Sequence, residues 1–146
     1  MIDLIELLYR KQKHLRQIAE TMWNKQDELH LTSSEWYVLK NINEGRSTVP
    51  ELVECIDITK QGVHKFLISL EEKKLITTEL KRDKKVQKIA SVTDKGLEVI
   101  QKSKSLELEI ENIVRQTIGS EQYDMLLTTL QKPIVKDIKV ITDIVD

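Results

Sequence analysis

A mainly α-helical chain with one small β-hairpin, bracketed by long helices, is the fold class the sequence predicts. Three observations carry it. Only 4 glycines and 2 prolines occur in 146 residues, too few turn formers for a sandwich or barrel. Helix-start signals recur at Thr32, Thr48 and Thr59. The hydrophobic period then changes once, from helical to alternating, between residues 76 and 92.

The elements follow in order. Residues 2–23 carry Leu4, Leu8, Leu15, Ile18 and Met22 at near-helical spacing, an apolar stripe too broad to stay wet, so this helix needs a partner helix. Thr32-Ser33-Ser34-Glu35 forms a capping box, in which each side chain satisfies an orphan backbone donor of the other. The helix behind it buries Val38, Leu39 and Ile42 and stops at Asn43-Glu44-Gly45. A second box, Thr48-Val49-Pro50-Glu51, tolerates proline in its first turn, and Leu52, Val53 and Ile56 form that short helix's inner face. Thr59 caps a third helix with Val63, Phe66, Leu67 and Leu70 inside, and Lys60, Gln61, His64, Lys65 and Ser69 largely outside. Lys73 and Lys74 sit where cations favour a helix C-terminus.

Ile76–Leu80 and Val86–Val92 read as two strands joined by the charged turn Lys81-Arg82-Asp83-Lys84-Lys85. Thr93-Asp94 caps a helix running toward Gly119. A last helical stretch from Ser120 meets Pro133, where a kink or a new start is expected. Beyond it Ile134, Ile138, Ile141 and Val145 form a seam expected to pack against residues 2–23 and against a second subunit. The expected dimer interface comes from residues 2–23 and 105–145.

Hydrophobic residues at 40% and charged residues at 32% suit a globular chain and exclude a disordered one. The formal net charge is −1, which excludes a uniformly basic coat. The charge is uneven, however: residues 59–95 hold ten Lys/Arg against five acids, so a local patch can neutralise phosphates while the acidic remainder limits nonspecific sticking. The single cysteine cannot form an internal disulfide. No apolar run approaches the ~18–20 residues of a membrane span, and the first residues lack the pattern of a signal peptide. The expectation is a cytoplasmic protein without a membrane role.

Three capped helices followed by a hairpin with a basic tip is the order of a winged helix-turn-helix. In that arrangement the third helix enters the major groove of double-stranded DNA with its N-terminal half, where polar and cationic side chains reach base edges. Thr59, Lys60, Gln61, His64 and Lys65 are the candidate contacts. The wing sets Lys81, Arg82, Lys84 and Lys85 beside the adjacent backbone or minor groove.

Over residues 31–96 the sequence resembles the MarR (multiple-antibiotic-resistance regulator) family. The resemblance rests on Leu31-Thr32-Ser33-Ser34-Glu35-Trp36-Tyr37-Val38-Leu39, Glu51-Leu52-Val53, Ile58-Thr59-Lys60-Gln61-Gly62-Val63-His64-Lys65, Leu70-Glu71-Glu72-Lys73-Lys74-Leu75-Ile76 and Val92-Thr93-Asp94-Lys95-Gly96, in order and spacing. It implies a DNA-binding lobe over 31–96, with residues 2–28 plus 97–145 as a helical dimerisation region in the single unit 1–146. It further implies a homodimeric transcriptional regulator, a repressor released by a small effector, on a pseudo-palindromic operator. Effectors would bind between the dimer helices and the lobe, where Trp23, Trp36 and Tyr37 are the candidate lining. Departures are local. Members often carry glycine where Lys74 stands, Thr-Arg where His64-Lys65 stands, and a wing Asp-Arg-Arg where this chain has Asp83-Lys84-Lys85. Arg82 competes with Lys84 and Lys85 as the cation of the minor groove.

His64 lacks a second ligand at metal spacing, since His14 and His30 are distant in sequence, and no metal or other cofactor is implied. Cys55 is flanked by Glu54 and Asp57, acids that raise a thiol's pKa, and is read as structural. No phosphate loop, acid–base pair or activated nucleophile points to an enzyme. The alternative is a winged-helix interaction module whose basic face binds an acidic partner protein.

Overall fold

The structure, a computed structural model, describes residues 3–135. Of the C-terminal seam, Ile134 lies among the described residues and is exposed, whereas Ile138, Ile141 and Val145 lie outside them. The chain divides into two compact units, Met1–Glu107 and Leu108–Asp146.

The first unit holds α1 (Leu4–Gln26), α2 (Ser33–Asn43), α3 (Val49–Cys55), α4 (Lys60–Glu72), β1 (Ile76–Arg82), β2 (Val86–Val92) and the start of α5 (Asp94–Ile118). The starts of α2, α3 and α4 are fixed by the threonines expected of them, and Asp3, not anticipated, caps α1. Asp3 accepts from Glu6 N, Thr32 from Glu35 N, Thr48 from Glu51 N and Thr59 from Gly62 N. The box at Thr32 is reciprocal, with Thr32 N donating to Glu35 Oε1 at 3.2 Å. At Thr48 the hydroxyl instead donates to Glu51 Oε1 at 2.7 Å. One face of each helix of the lobe meets the others: Val38 and Leu39 of α2, Leu52 of α3, and Val63, Leu67 and Leu70 of α4 are all buried, with Leu75 and Ile76 closing the core.

The strands pair antiparallel from Ile76↔Val92 to Arg82↔Val86. β1 therefore runs two residues past the expected Leu80, and the turn is only Asp83-Lys84-Lys85. Lys81 and Arg82 belong to a paired strand because Gln87 and Val86 stand opposite them. Thr48 bridges to Ile89 on the other edge of β2, and Ala90 N donates to Ser47 O at 2.9 Å. The base of the hairpin is thus held by the lobe while Arg82–Gln87 is exposed.

The end of α4 shows how tightly the hairpin is joined. Leu75 N reaches back to Leu70 O at 3.0 Å and Lys74 N to Glu71 O at 2.9 Å, the paired bonds of a Schellman cap. That geometry puts Lys74 at φ 64°, in the left-handed region that favours glycine. The hydroxyl of Thr93 donates to Lys74 O at 2.7 Å and accepts from Gly96 N at 3.1 Å, so one side chain ties this turn to the start of α5. A Cβ on Gly96 would stand 2.3 Å from Leu75 O, which is why glycine occupies that position.

Trp23 is the residue of α1 that is buried, whereas Leu4, Leu8 and Leu15 of the apolar stripe, with Ile5 beside them, are exposed. The second unit contains the end of α5 and α6 (Ser120–Gln131), which meet at Gly119 with φ 93°. Within it the Arg115 guanidinium lies 4.3 Å from the Tyr123 ring centre and bonds Asp124 at 3.1 Å. Met125, Leu126, Leu127 and Leu130 are exposed.

Candidate nucleic-acid interface

α4 carries the first half of the candidate surface. Thr59 caps it, with Gly62 N donating to Thr59 Oγ1 at 3.0 Å. Its first turn contains no acid, so the positive end of the helix dipole is not neutralised locally. Lys60, Gln61 and Lys65 are exposed and His64 is half-buried. Their spacing sets 61, 64, 65 and 68 along one face, which the exposed Ile68 extends.

Ser69 departs from the expected outer face. Its hydroxyl donates to Glu35 Oε2 at 2.7 Å, and Lys73 Nζ donates to the same oxygen and to His30 O at 2.7 Å. Burial pushes the Glu35 carboxyl up, but the bonds from Lys73, Ser69 and Thr32 outweigh it and hold its pKa below the ordinary value. Lys73 thus fastens α4 to α2 and is spent on the scaffold.

The wing carries the second half. Lys81, Arg82, Lys84 and Lys85 are all exposed. Arg82, Asp83, Lys84, Lys85 and Gln87 border a shallow open concavity at the tip. The structure therefore presents every candidate DNA contact at the surface, and two separate elements of the same unit supply them.

The three aromatics divide. Trp23 and Trp36 line one partly open cavity together with Leu31, Ser103 and Leu106. Tyr37 points elsewhere: it is exposed and borders a different concavity with Lys40, Asn41, Glu44, Arg46 and Cys55. One residue along a helix turns the side chain by about 100°, which carries Tyr37 off the wall that Trp36 lines. Tyr37 is thus withdrawn from the expected pocket. Ser103 was not anticipated, because a serine inside a helix gives no periodic signal.

Cys55 is exposed. It borders the same concavity as Arg46, whose guanidinium donates to Glu44 Oε2 at 2.7 Å. The sequence neighbours Glu54 and Asp57 gave no sign of that cation. Among the described residues, no group of three His, Cys, Asp or Glu side chains is gathered as a metal site, and no helix is long and apolar enough to cross a membrane.

No family model and no curated protein matches the sequence. Solved structures do match. The chain is similar to wild-type apo MarR from E. coli at 16% identity, with a TM-score of 0.77 over 92% of this chain and 99% of that one. It is similar to MepR of S. aureus in a DNA complex at 17% identity, with a TM-score of 0.72 over 99% of both chains. A MarR-family regulator from Rhodococcus sp. RHA1 gives 17% identity and a TM-score of 0.75, over 88% of this chain and 90% of that one. The fold is the winged helix-turn-helix of the MarR-type transcriptional regulators, as the ordered motifs over 31–96 lead one to expect.

Proposed function

We propose that this protein is a MarR-type transcriptional regulator that binds double-stranded DNA as a homodimer, acts as a cytoplasmic repressor on a pseudo-palindromic operator and is released by a small effector. The observation that carries the reading is the pairing of an acid-free, cationic helix start at Lys60–Lys65 with a wing tip bearing Lys84 and Lys85, both exposed. A helix N-terminus of this kind reads base edges, and flexible lysines beside it neutralise phosphates. The MepR of S. aureus, similar in fold, has been solved with DNA, which supports the same use here.

In this reading residues 31–96 are the DNA-binding lobe, and 2–28 plus 97–145 supply the dimer contacts. Leu4, Ile5 and Leu8 on α1, exposed in the single chain, are the apolar side chains a second subunit would cover. The effector site is the cavity lined by Trp23 and Trp36.

Selection of binding sites from random duplexes tests the reading, followed by titration of the enriched site at rising salt. Enrichment of an inverted repeat, with affinity falling steeply as counterions are released, is the expected result. If no sequence is enriched and duplex DNA stays unbound, the surface instead serves an acidic partner protein.

A further inference from the structure

Beyond the lobe the two faces of the hairpin are unlike. Side chains alternate along a strand, and the pairing register sets Thr78, Leu80 and Arg82 of β1 on one face with Val86, Lys88 and Ala90 of β2. Glu79, Lys81 and Gln87 fall on the other. The first face is the one turned to the lobe. At its base Ile76 and Ala90 are buried, and the Thr78 hydroxyl donates to the Glu71 carboxylate of α4 at 3.0 Å. Outward from that bond the same face leaves the core and borders the space between α4 and the wing.

Apolar residues continue along it where no core remains to bury them. Leu80 is 63% exposed and Val86 66%. They are diagonal neighbours, since Leu80 pairs with Lys88 and Val86 with Arg82. The charges sort in the same way. Arg82 and Lys88 flank the apolar pair with no acid on that face beyond Thr78, and neither makes an ion pair among the described residues. Asp83 lies in the turn, outside both strands. On the opposite face Lys81 stands two residues from the exposed Glu79, whose carboxylate offsets its charge. From α4, the exposed Lys65 and Ile68 precede Glu71 at three-residue steps and so share its ridge. Both sides of the space between helix and wing therefore combine apolar groups with cations. One strand of a duplex has the matching chemistry, with apolar sugar faces between regularly spaced phosphates, and it would continue from the candidate base contacts on the same helix.

We propose that the hairpin face turned to α4 is the one that grips DNA, with Leu80 and Val86 packed on the deoxyribose of the strand passing between α4 and the wing while Lys88 bonds its phosphate. Lys81, on the opposite face, is not a contact. This assignment rests on the DNA-binding reading above and deepens it: Lys88, Leu80 and Val86 join the interface and Lys81 leaves it.

Lys81→Ala and Lys88→Ala separate the faces. The two lysines lie on adjacent rungs and each variant removes one positive charge, so long-range attraction changes equally and only the face differs. Affinity of the full-length protein for a mixed-sequence duplex of about three helical turns is read by fluorescence anisotropy at several salt concentrations, well below each variant's melting temperature. Lys88→Ala is expected to weaken binding about three- to tenfold at about 0.1 M salt and to lower the salt slope by about one unit. Lys81→Ala should stay within about twofold of wild type, because exposed charges remote from the contact are screened. The double variant Leu80→Thr with Val86→Thr keeps residues suited to a strand. It is expected to weaken binding about three- to tenfold with the slope unchanged, because sugar contacts release no counterions. Lys81→Ala weakening binding as much as Lys88→Ala, or a double threonine variant that binds like wild type, overturns the assignment and leaves the regulator reading standing. If wild type binds no duplex even at low salt, that reading fails and the assignment with it, and the face serves an acidic partner protein instead.

Discussion

The Ser69 hydroxyl on α4 donates to the Glu35 carboxylate on α2 at 2.7 Å, across 34 residues of sequence. Glu35 is at once the third residue of a capping box and the buried anchor of the helix that carries the candidate base contacts. Its second anchor, Lys73, is 23% exposed against 6% for the Glu35 side chain. The Thr32 and Ser33 end of the same box borders the indole-lined cavity. Occupancy of that cavity and the seating of α4 therefore share one short stretch of backbone.

Removing Glu35 should cost far more than an ordinary cap. Glu35→Ala leaves the Lys73 ammonium, the Ser69 hydroxyl and Thr32 N without their acceptor. Breaking such a buried pair costs about 3–5 kcal/mol, and the partial exposure of Lys73 trims this toward 2–4 kcal/mol. Urea unfolding at neutral pH measures it, and a loss below about 1 kcal/mol would show the pair to be idle.

The same carboxyl makes stability depend on pH. Its folded pKa lies below the ordinary 4.5, so it stabilises the fold fully above that value and loses the contribution as pH falls through the folded pKa. Glu35→Gln abolishes this term. Wild type and variant should therefore differ most near neutrality and converge below the ordinary value. A constant gap across the acid range would assign the lowered pKa to another group.

Much of this architecture is legible in the sequence because caps are local chemistry. Thr32 with Glu35, and Thr59 before an apolar period, mark helix starts within a few residues of chain. What hid were the partners that only folding brings together. Ser69 lies on the polar side of α4 by spacing, yet its acceptor belongs to α2. Tyr37 sits beside Trp36 in sequence and points away from it. The length of β1 depends on what Val86 and Gln87 place opposite it, and Ser103 shows its unpaired hydroxyl only once Trp36 stands across the same cavity.

Lys74 should be improvable. A side chain at φ 64° carries a left-handed cost of about 1–2 kcal/mol, and glycine removes it while adding about 0.5–1 kcal/mol of chain entropy. Lys74→Gly is therefore expected to stabilise by up to about 1.5 kcal/mol, read as a higher urea midpoint at unchanged slope. Gly96→Ala should do the reverse. The new Cβ would stand 2.3 Å from a backbone oxygen and 2.7 Å from Val92 Cγ1. Because backbone cannot yield as a side-chain tip does, the loss should be at least about 2 kcal/mol. An unchanged midpoint in either variant would contradict the geometry.

The proposed dimer is tested by truncation after Gln131. Of the exposed apolar residues, Met125, Leu126 and Leu130 lie before the cut and Ile134 and Val135 beyond it, where the expected seam continues. Loss of the dimer together with specific DNA binding is the expected outcome in sedimentation and gel-shift assays. An intact protein that sediments as a 17.0 kDa monomer at micromolar concentration removes the interface altogether.

Wing and α4 should fail differently when mutated, because in the proposed complex they meet DNA at different places. Lys84 and Lys85 lie in the exposed turn and Arg82 in the last rung of the hairpin, paired with Val86. All three are exposed at the hairpin tip, where the proposed complex would place backbone phosphates. Alanine at Lys84 or Lys85 should weaken every duplex alike and lower the salt slope by about one unit per lost phosphate contact. Arg82 sits on a more rigid paired strand, and in a narrow minor groove it would add a preference for A·T content. Gln61 and His64 stand within two turns of the Thr59 cap, where a helix entering the major groove faces base edges. Alanine at either should cost about 1–3 kcal/mol on the cognate site and little on a scrambled one. Paired titrations of cognate and scrambled duplex at two salt concentrations separate the roles. If Gln61→Ala weakens both duplexes equally while Lys85→Ala weakens only the cognate, base reading belongs to the wing and backbone anchoring to α4.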